Sequence, residues 1–312
     1  MIFAILGSGF GLYGYLPALI AGGRHRVLLP ERYRDRLKSR SDIRGLLDIA
    51  EWRACERQML DDAEAVIIAR RPSDQVRLVE DCLQRENIQG LVLEKPLAPA
   101  PDAARRLIET LQLSGKRFRI GYTLRYTDWA RRVRERCSTT GGVGGVELHW
   151  SFRAHHYAQN LVNWKRFHAT GGGALRFYGV HIIALLAEIG YLDASWSETS
   201  AVSPDEAESW RAVLKADGLP DFTISIDTNS PVRKFKISTT TEKGESVVLA
   251  EQDDPFDADR SVGDFDPRTA VLARLCEDFC QGLDTYPSWY RGAIDLWVKT
   301  ELRTESRRGL SF

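Results

Sequence analysis

The first 120 residues repeat one pattern, a short continuous apolar run followed by a segment with helical spacing. "IFAILG" leads into "YLPALIAGG", "RVLLP" into the charged stretch from Glu31, and "AEAVIIA" into "SDQVRLVEDCLQREN". "GLVLEK" leads into "APDAARRLIETLQLSG", and "RFRIGY" closes the series. Continuous apolar strands separated by helices of roughly 10–15 residues match a parallel sheet covered on both faces, because neither face of such a strand meets water. Right-handed crossovers then wind the units into a doubly wound, nucleotide-binding sheet.

After residue 121 the pattern changes. "RRVRERC" ends a helix and "GGVGGVELHWSFRAHH" opens a strand-rich stretch. Beyond a glycine-led apolar helix come "WRAVLKAD", "DFTISIDT", "VRKFKISTTT" and "ESVVLAE", whose period-two patterning predicts a mostly antiparallel, open sheet. The tail from Pro267 to Arg308 reads as helical through Ala270, Leu275 and Phe279. A chain of 312 residues exceeds the usual single core. The expectation is an α/β domain over residues 1–121 and an α+β domain, ending in a C-terminal helix, over 122–312.

Charge narrows the partners. Lys plus Arg number 43 and Asp plus Glu number 43, so no overall field favours nucleic acid or an anionic membrane surface. The apolar start lacks the basic region and cleavage site of a secretory signal, and no run reads as the roughly 18 apolar residues of a membrane span. Five cysteines form neither a metal spacing nor an even disulfide framework. A reducing cytoplasm, no metal and a small-molecule substrate are expected.

Two segments carry chemistry on their own residues. In "ILGSGFGLYGYLPAL", Gly7, Gly9 and Gly11 follow the first strand and precede a helix. Glycines there allow a tight turn and let backbone amides approach a pyrophosphate at a helix N-terminus. A strict G-x-G-x-x-G would place glycine at Leu12. Roughly 20 residues beyond the loop, the second strand should end on the residue that reads the adenosine ribose. Glu31 stands there and suits the ribose hydroxyls of NAD. Arg32 beside it suits adenine stacking or the 2′-phosphate of NADP, and the balance is read toward NAD. In "GLVLEKPLA", Glu94, Lys95 and Pro96 lie at the C-terminal edge of a parallel strand, where doubly wound sheets bind ligands. An ammonium there can hold a substrate hydroxyl or shuttle its proton.

A third segment, "GGGALRFYGVHIIALL" (171–186), holds one imidazole, His181, with Phe177 one turn earlier. On residue type alone His181 reads first as a satisfied core histidine.

The order GSGFG…PAL, "IIARRP", "LEKPLA", "GYTLRY" and "GGGALRFYGVH" resembles the Gfo/Idh/MocA family of NAD(P)-dependent oxidoreductases through nearly the whole chain. "ELRTESRRG" is similar to that family's closing helix. The resemblance implies that Gly7, Ser8, Gly9, Phe10 and Gly11 hold the pyrophosphate and Glu31 meets the ribose. Arg71 and Pro72 would lie along the cofactor, and Glu94 and Lys95 would flank the nicotinamide. Arg125 of "GYTLRY" matches a frequent cleft arginine. Trp164 and Lys165 match a Trp-Arg pair before the glycines, with Lys in place of Arg. His181 stands where the family keeps its acid–base residue.

There are departures. The family acid four residues before the histidine is Phe177, and a further acid three residues after it is Ala184. The usual Thr-Pro-Pro and nearby His of the cofactor loop are replaced by Arg70, Arg71, Pro72 and Gln75. The expected function is hydride transfer to or from a carbinol or carbonyl carbon of a sugar, cyclitol, nucleotide-sugar or similar polar metabolite. Lys95 would polarise the substrate oxygen and His181 would move its proton, with Tyr178 as a second hydroxyl near the substrate. The alternative is a cofactor-binding protein with degraded catalysis, acting in regulation or assembly. The resemblance also implies a homodimer or homotetramer.

Overall fold

The structure, a computed structural model, describes all residues except 24, 139–142, 204, 242–243, 258–264 and 309–312. In chain order its regular elements begin with β1 (Ile2–Leu6), α1 (Leu16–Ala21), β2 (Arg26–Pro30), α2 (Arg34–Lys38), β3 (Glu51–Arg53) and α3 (Glu56–Asp62). There follow β4 (Ala65–Ile68), α4 (Pro72–Leu83), β5 (Gly90–Leu93), α5 (Pro101–Leu113) and β6 (Arg117–Ile120). These strands form one parallel sheet in the order β3-β2-β1-β4-β5-β6, the order of a Rossmann fold. The central strands β4 and β5 are fully buried and β1 is buried beyond Ile2, as their unbroken apolar sequences require.

The rest comprises α6 (Asp128–Ser138), β7 (Val143–Arg153), α7 (His155–Ala158), α8 (Val180–Ile189), β8 (Asp193–Ala201), β9 (Ser209–Lys215), β10 (Phe222–Asp227), β11 (Asn229–Thr241) and β12 (Ser246–Gln252). The chain ends through α9 (Thr269–Gln281), α10 (Trp289–Leu302) and β13 (Thr304–Arg308). The second sheet runs β12-β11-β7-β10-β9-β8-β13. Its pairs are antiparallel except β7 with β10 and β8 with β13. Alternate residues of β10, Phe222, Ile224 and Ile226, are buried while Thr223 is exposed, so one face is covered.

Two compact units emerge, but not by a single cut at residue 121. One comprises Met1–Leu97, Leu107–Tyr126 and Asp259–Pro287, and the other Ala98–Arg106, Thr127–Ala258 and Ser288–Phe312. The reason lies in α9. Its Leu272, Leu275, Cys276 and Phe279 are buried in the first unit's core with Phe3, Ile5 and Leu16. The Phe279 ring lies 5.8 Å from that of Phe3, and burying one such ring contributes roughly 2–3 kcal/mol.

The tail also differs from the expected helix. It is two helices and then a strand, β13, which pairs in parallel with β8 from Thr304↔Ser197 to Arg308↔Ala201. The stretch expected to run as one charged helix from Glu31 breaks into a 3₁₀ turn at Glu31–Tyr33, the short α2, and a second 3₁₀ turn at Arg44–Leu46. The helical stretch His168–Ile189 is long and apolar enough to cross a membrane by composition, contrary to the sequence reading. Its apolar window is 67% buried within the protein, where Ile182, Ile183, Leu185 and Leu186 form core.

Candidate functional site

The phosphate loop follows β1 directly. Gly7 has φ +147°, and a Cβ there would lie 2.3 Å from the Ala69 carbonyl oxygen, so no other residue fits. At Gly11 a Cβ would meet Ile5 Cγ2 at 2.8 Å. At Gly9 it would meet nothing within 4 Å, so this residue presents bare backbone to open space. That is the cradle a pyrophosphate needs, and the loop fits a dinucleotide. The helix after it starts as a π-helical turn, Gly11–Tyr15, before α1. Leu12, at the departure from the strict glycine spacing, is buried in the core. Ser8 and Phe10 are half-buried, and the guanidinium of Arg268 lies 4.3 Å from the Phe10 ring centroid. Asp266 grips Arg268 with two hydrogen bonds of 2.8 Å. Sequence reasoning missed Arg268 because it lies more than 250 positions beyond the loop.

The ribose end departs from expectation. Glu31 is exposed and holds Arg34 through bonds of 2.7 and 2.9 Å. That bond holds its carboxyl below the usual carboxylate range, against slight burial. Arg32 reaches Glu56 at the start of α3. Arg71 is exposed and caps α4, and Pro72 takes the first helical position, where its missing N–H costs nothing.

At the end of β5 the Glu94-Lys95-Pro96 element is clamped. Gln75, fully buried on α4, donates from Nε2 to the carbonyls of Glu94 at 2.7 Å and Leu97 at 3.1 Å. Its Oε1 accepts the Glu94 N–H at 2.9 Å. The Lys95–Pro96 peptide bond is cis. Tyr15 donates its hydroxyl proton to Glu94 Oε1 at 2.5 Å. Gly121 makes room for that pair, since a Cβ there would lie 3.0 Å from Glu94 Oε1 and 3.1 Å from the Tyr15 oxygen. Burial pushes the Glu94 carboxyl above the usual range, against the Lys95 charge and the Tyr15 hydrogen bond. Burial, then the Glu94 charge, pushes the Tyr15 phenol well above its ordinary value, so it stays a donor. Tyr15, which holds Glu94, was not singled out in the sequence, and Gln75 was named there only as a departure in the cofactor loop. The only signal was Gln75 standing near the family's usual histidine. Arg125, the expected cleft arginine, sits on a 3₁₀ turn 3.4 Å from Asp278 and 3.2 Å from the Tyr126 hydroxyl.

In the second unit Gly171 ends a 3₁₀ turn at φ +88°, and the next two glycines are packing requirements. A Cβ at Gly172 would lie 2.3 Å from the Trp164 carbonyl oxygen, and one at Gly173 (φ +79°) 2.8 Å from Ala207 Cβ. The Gly173 N–H donates to the Lys165 carbonyl at 2.8 Å. These contacts pin the Trp164-Lys165 turn against the helix entry, which is π-helical over Ala174–Gly179 and becomes α-helical only at Val180. π-turns inside helices occur frequently at functional sites. Trp164 stands edge-on to Phe177 at 5.3 Å, and Lys165 Nζ lies 5.3 Å from the same ring. Phe177 meets Tyr178 at 4.8 Å, and Tyr178 meets Phe152 at 5.0 Å. So Trp164, Lys165, Phe177 and Tyr178 converge as one aromatic and cationic patch. His181 follows on α8 and is 7% exposed. Arg176, beside Phe177, is bound to Glu301 of α10 through two bonds of 2.6 Å. Burial would raise the Glu301 carboxyl, but the Arg176 and His168 hydrogen bonds outweigh it and hold the pKa at about 2.

Residues 1–122 match the model for the family described as "Oxidoreductase family, NAD-binding Rossmann fold" (GFO_IDH_MocA). Inositol 2-dehydrogenase of Rubrobacter xylanophilus is 36% identical over 97 residues, which is 31% of this chain and 26% of that protein. The chain thus spans about a quarter of that curated relative. Across almost its full length it has the fold of KijD10, a 3-ketoreductase from Actinomadura kijaniata solved with NADP and TDP-benzene. Identity there is 14%, coverage 99% of both chains and TM-score 0.72. The WlbA dehydrogenase from Bordetella pertussis, solved with NADH and UDP-GlcNAcA, is 15% identical over 96% of both chains, with TM-score 0.70. Taken with the parallel sheet and its glycine cradle, these matches show residues 1–122 as an NAD-binding Rossmann domain of the Gfo/Idh/MocA oxidoreductase type, in a chain that shares its fold with these solved structures over nearly its full length.

Proposed function

We propose that this protein is an NAD(P)-dependent dehydrogenase or reductase acting on a carbinol or carbonyl carbon of a sugar-like metabolite, with nucleotide-linked sugars and cyclitols as the substrate classes to test. The observation that carries this reading is the clamped strand end, where Gln75 and Tyr15 fix Glu94 and thereby the backbone of Lys95. A side chain held on a rigid strand end meets its substrate with little loss of freedom on binding. A dinucleotide held by the Gly7–Gly11 loop and flanked by Glu94 and Lys95 would supply the hydride chemistry. Lys95 donates a hydrogen bond to the substrate oxygen and stabilises charge that gathers there. His181 takes or gives the proton of that oxygen. Trp164, Phe177 and Tyr178 supply apolar faces for a sugar ring, and Lys165 and Arg125 serve its polar groups. The same reading holds that the open face of the second sheet joins a second copy, giving a homodimer or homotetramer, which sedimentation at micromolar concentration checks.

The test is a spectrophotometric screen at 340 nm. NADH- and NADPH-linked reduction of TDP- and UDP-linked keto sugars is measured beside NAD(P)-linked oxidation of inositols. Turnover lost at least 100-fold in Lys95→Met, with cofactor Kd nearly unchanged, is expected. Tight cofactor binding with no turnover across both classes, in wild type and variant alike, would overturn the enzyme reading.

A further inference from the structure

Four strand ends of the first unit meet in one polar cluster. The Tyr33 hydroxyl, beyond β2, accepts the Gly7 N–H at 3.1 Å and so touches the phosphate loop itself. It also accepts Arg70 Nη2 at 2.8 Å, from beyond β4, and donates to Glu56 Oε1 at 3.0 Å. Arg70 binds the same Oε1 at 2.5 Å, and Arg32 binds it as well. One carboxylate oxygen therefore holds two guanidinium groups and a phenol. Burial works against the charge on Glu56, but the Arg32 hydrogen bond and the Arg70 charge outweigh it and hold the carboxyl ionised.

This cluster lies at the C-terminal edge of the sheet beside the first loop glycine, the end where a doubly wound sheet takes the adenosine ribose. An acid there reads the ribose hydroxyls, and arginines there accept a 2′-phosphate. The acid expected in that role, Glu31, is exposed and bound to Arg34. Two arginines converging on one point are the usual recognition of a phosphate dianion. Here the point is already taken by a carboxylate of the chain itself.

Resting on the dinucleotide reading above, we propose that Glu56 is the residue that selects NAD(H) over NADP(H): its carboxylate occupies the Arg32–Arg70 pair and repels a 2′-phosphate that would otherwise bind there. This is selection by an unfavourable contact with the wrong ligand, which needs no better contact with the right one. The phosphate must displace Glu56 from both arginines or share them with it.

The experiment is fluorescence titration of the intact protein with NADH and with NADPH, comparing Kd ratios, so that no substrate or turnover is required. Wild type is expected to bind NADH at least 10-fold more tightly. Glu56→Gln keeps the hydrogen-bonding shape and removes the charge, and should improve NADPH binding at least 10-fold while moving NADH less than about threefold. Arg70→Met added to Glu56→Gln should return NADPH to the wild-type value, and far-ultraviolet circular dichroism checks that each variant is folded. A Kd ratio unchanged in Glu56→Gln, or a wild type that prefers NADPH, would overturn the role of Glu56 alone. Failure of folded wild type to bind either dinucleotide would overturn the cofactor reading, and the inference with it.

Discussion

Tyr15 and Glu94 share a 2.5 Å hydrogen bond although 79 positions separate them, and the bond joins the π-turn after the phosphate loop to the strand end that carries Lys95. It is the contact through which the cofactor loop and the proposed substrate lysine are held to one geometry.

Tyr15→Phe keeps the ring and removes the donor. The bond lowers the Glu94 pKa against burial, so its loss should move the Glu94 titration further alkaline. Carboxyl carbon NMR can follow that midpoint, and Glu94→Gln identifies the signal by removing it. Losing a buried hydrogen bond to a charged group should also reduce unfolding free energy by about 2 kcal/mol. Because the folded pKa of Glu94 is raised, it is the protonated carboxyl that contributes stability, in full below the ordinary carboxylate pKa. That contribution disappears as pH rises through the folded value.

Two glycines of one loop should fail in different ways. Gly9→Val places its side chain in open space in the empty protein, so thermal stability should hold while NADH binding falls at least 100-fold, because the Cβ stands where phosphates approach. Gly7→Ala has a Cβ 2.3 Å from the Ala69 oxygen at a strained φ, and should lose about 2 kcal/mol or more of stability. Differential scanning calorimetry paired with fluorescence titration separates the two. Equal NADH binding by Gly9→Val would remove the loop from the cofactor site.

Much of this was legible in the chain. The five runs read as strands in the first 120 residues became β1, β2, β4, β5 and β6 of the parallel sheet, because strands covered on both faces are mostly apolar. The strands that stayed hidden had no such need. β3 is three partly exposed residues. β8 buries Ser197 and Thr199, which hydrogen-bond Thr304 and Ser306 of β13, so hydroxyls stand where apolar alternation would have marked it. β13 lies in charged residues with helical spacing and is a strand only because β8 offers it an edge. The glycine loop and Glu94-Lys95-Pro96 were local patterns and could be read. Gln75, Tyr15, Glu56 and Arg268 act through partners that only folding brings near.

Arg176 and Glu301 should dominate the acid stability of the second unit. Both side chains are largely buried, at 12% and 15% exposure, and removing one partner of such a pair costs about 3 kcal/mol. Glu301→Gln should lower stability by that order at neutral pH. The Glu301 pKa is depressed to about 2, so the wild-type advantage is full above the ordinary carboxylate value and shrinks as pH falls toward 2. Urea unfolding at pH 7 and pH 3 should show the two proteins converging at the lower pH. A constant gap would mean that packing, not charge, is what the substitution removed.

The sharpest test concerns Phe177 and His181, one turn apart in the helix that follows the three glycines. His181→Ala should lower kcat roughly 100-fold, the scale of an acid–base group, with little change in cofactor Kd. If turnover is intact and stability falls by several kcal/mol instead, His181 is a core residue and Lys95 acts without it. Phe177→Asp restores a carboxylate one turn before the histidine and would be expected to raise its pKa and move the pH–rate profile alkaline. Here, however, Lys165 Nζ lies 5.3 Å from the Phe177 ring, and the helix is π-wound up to Gly179. The new carboxylate meets an ammonium first, so the single variant should move the profile little while losing the contacts to Trp164 and Tyr178. The double variant Phe177→Asp/Lys165→Met removes that competitor, and only it should shift the profile clearly alkaline. A full shift in the single variant would mean that Lys165 does not reach position 177 in the working enzyme. No shift in either, with His181→Ala still impaired, would mean that residue 177 faces substrate rather than the histidine.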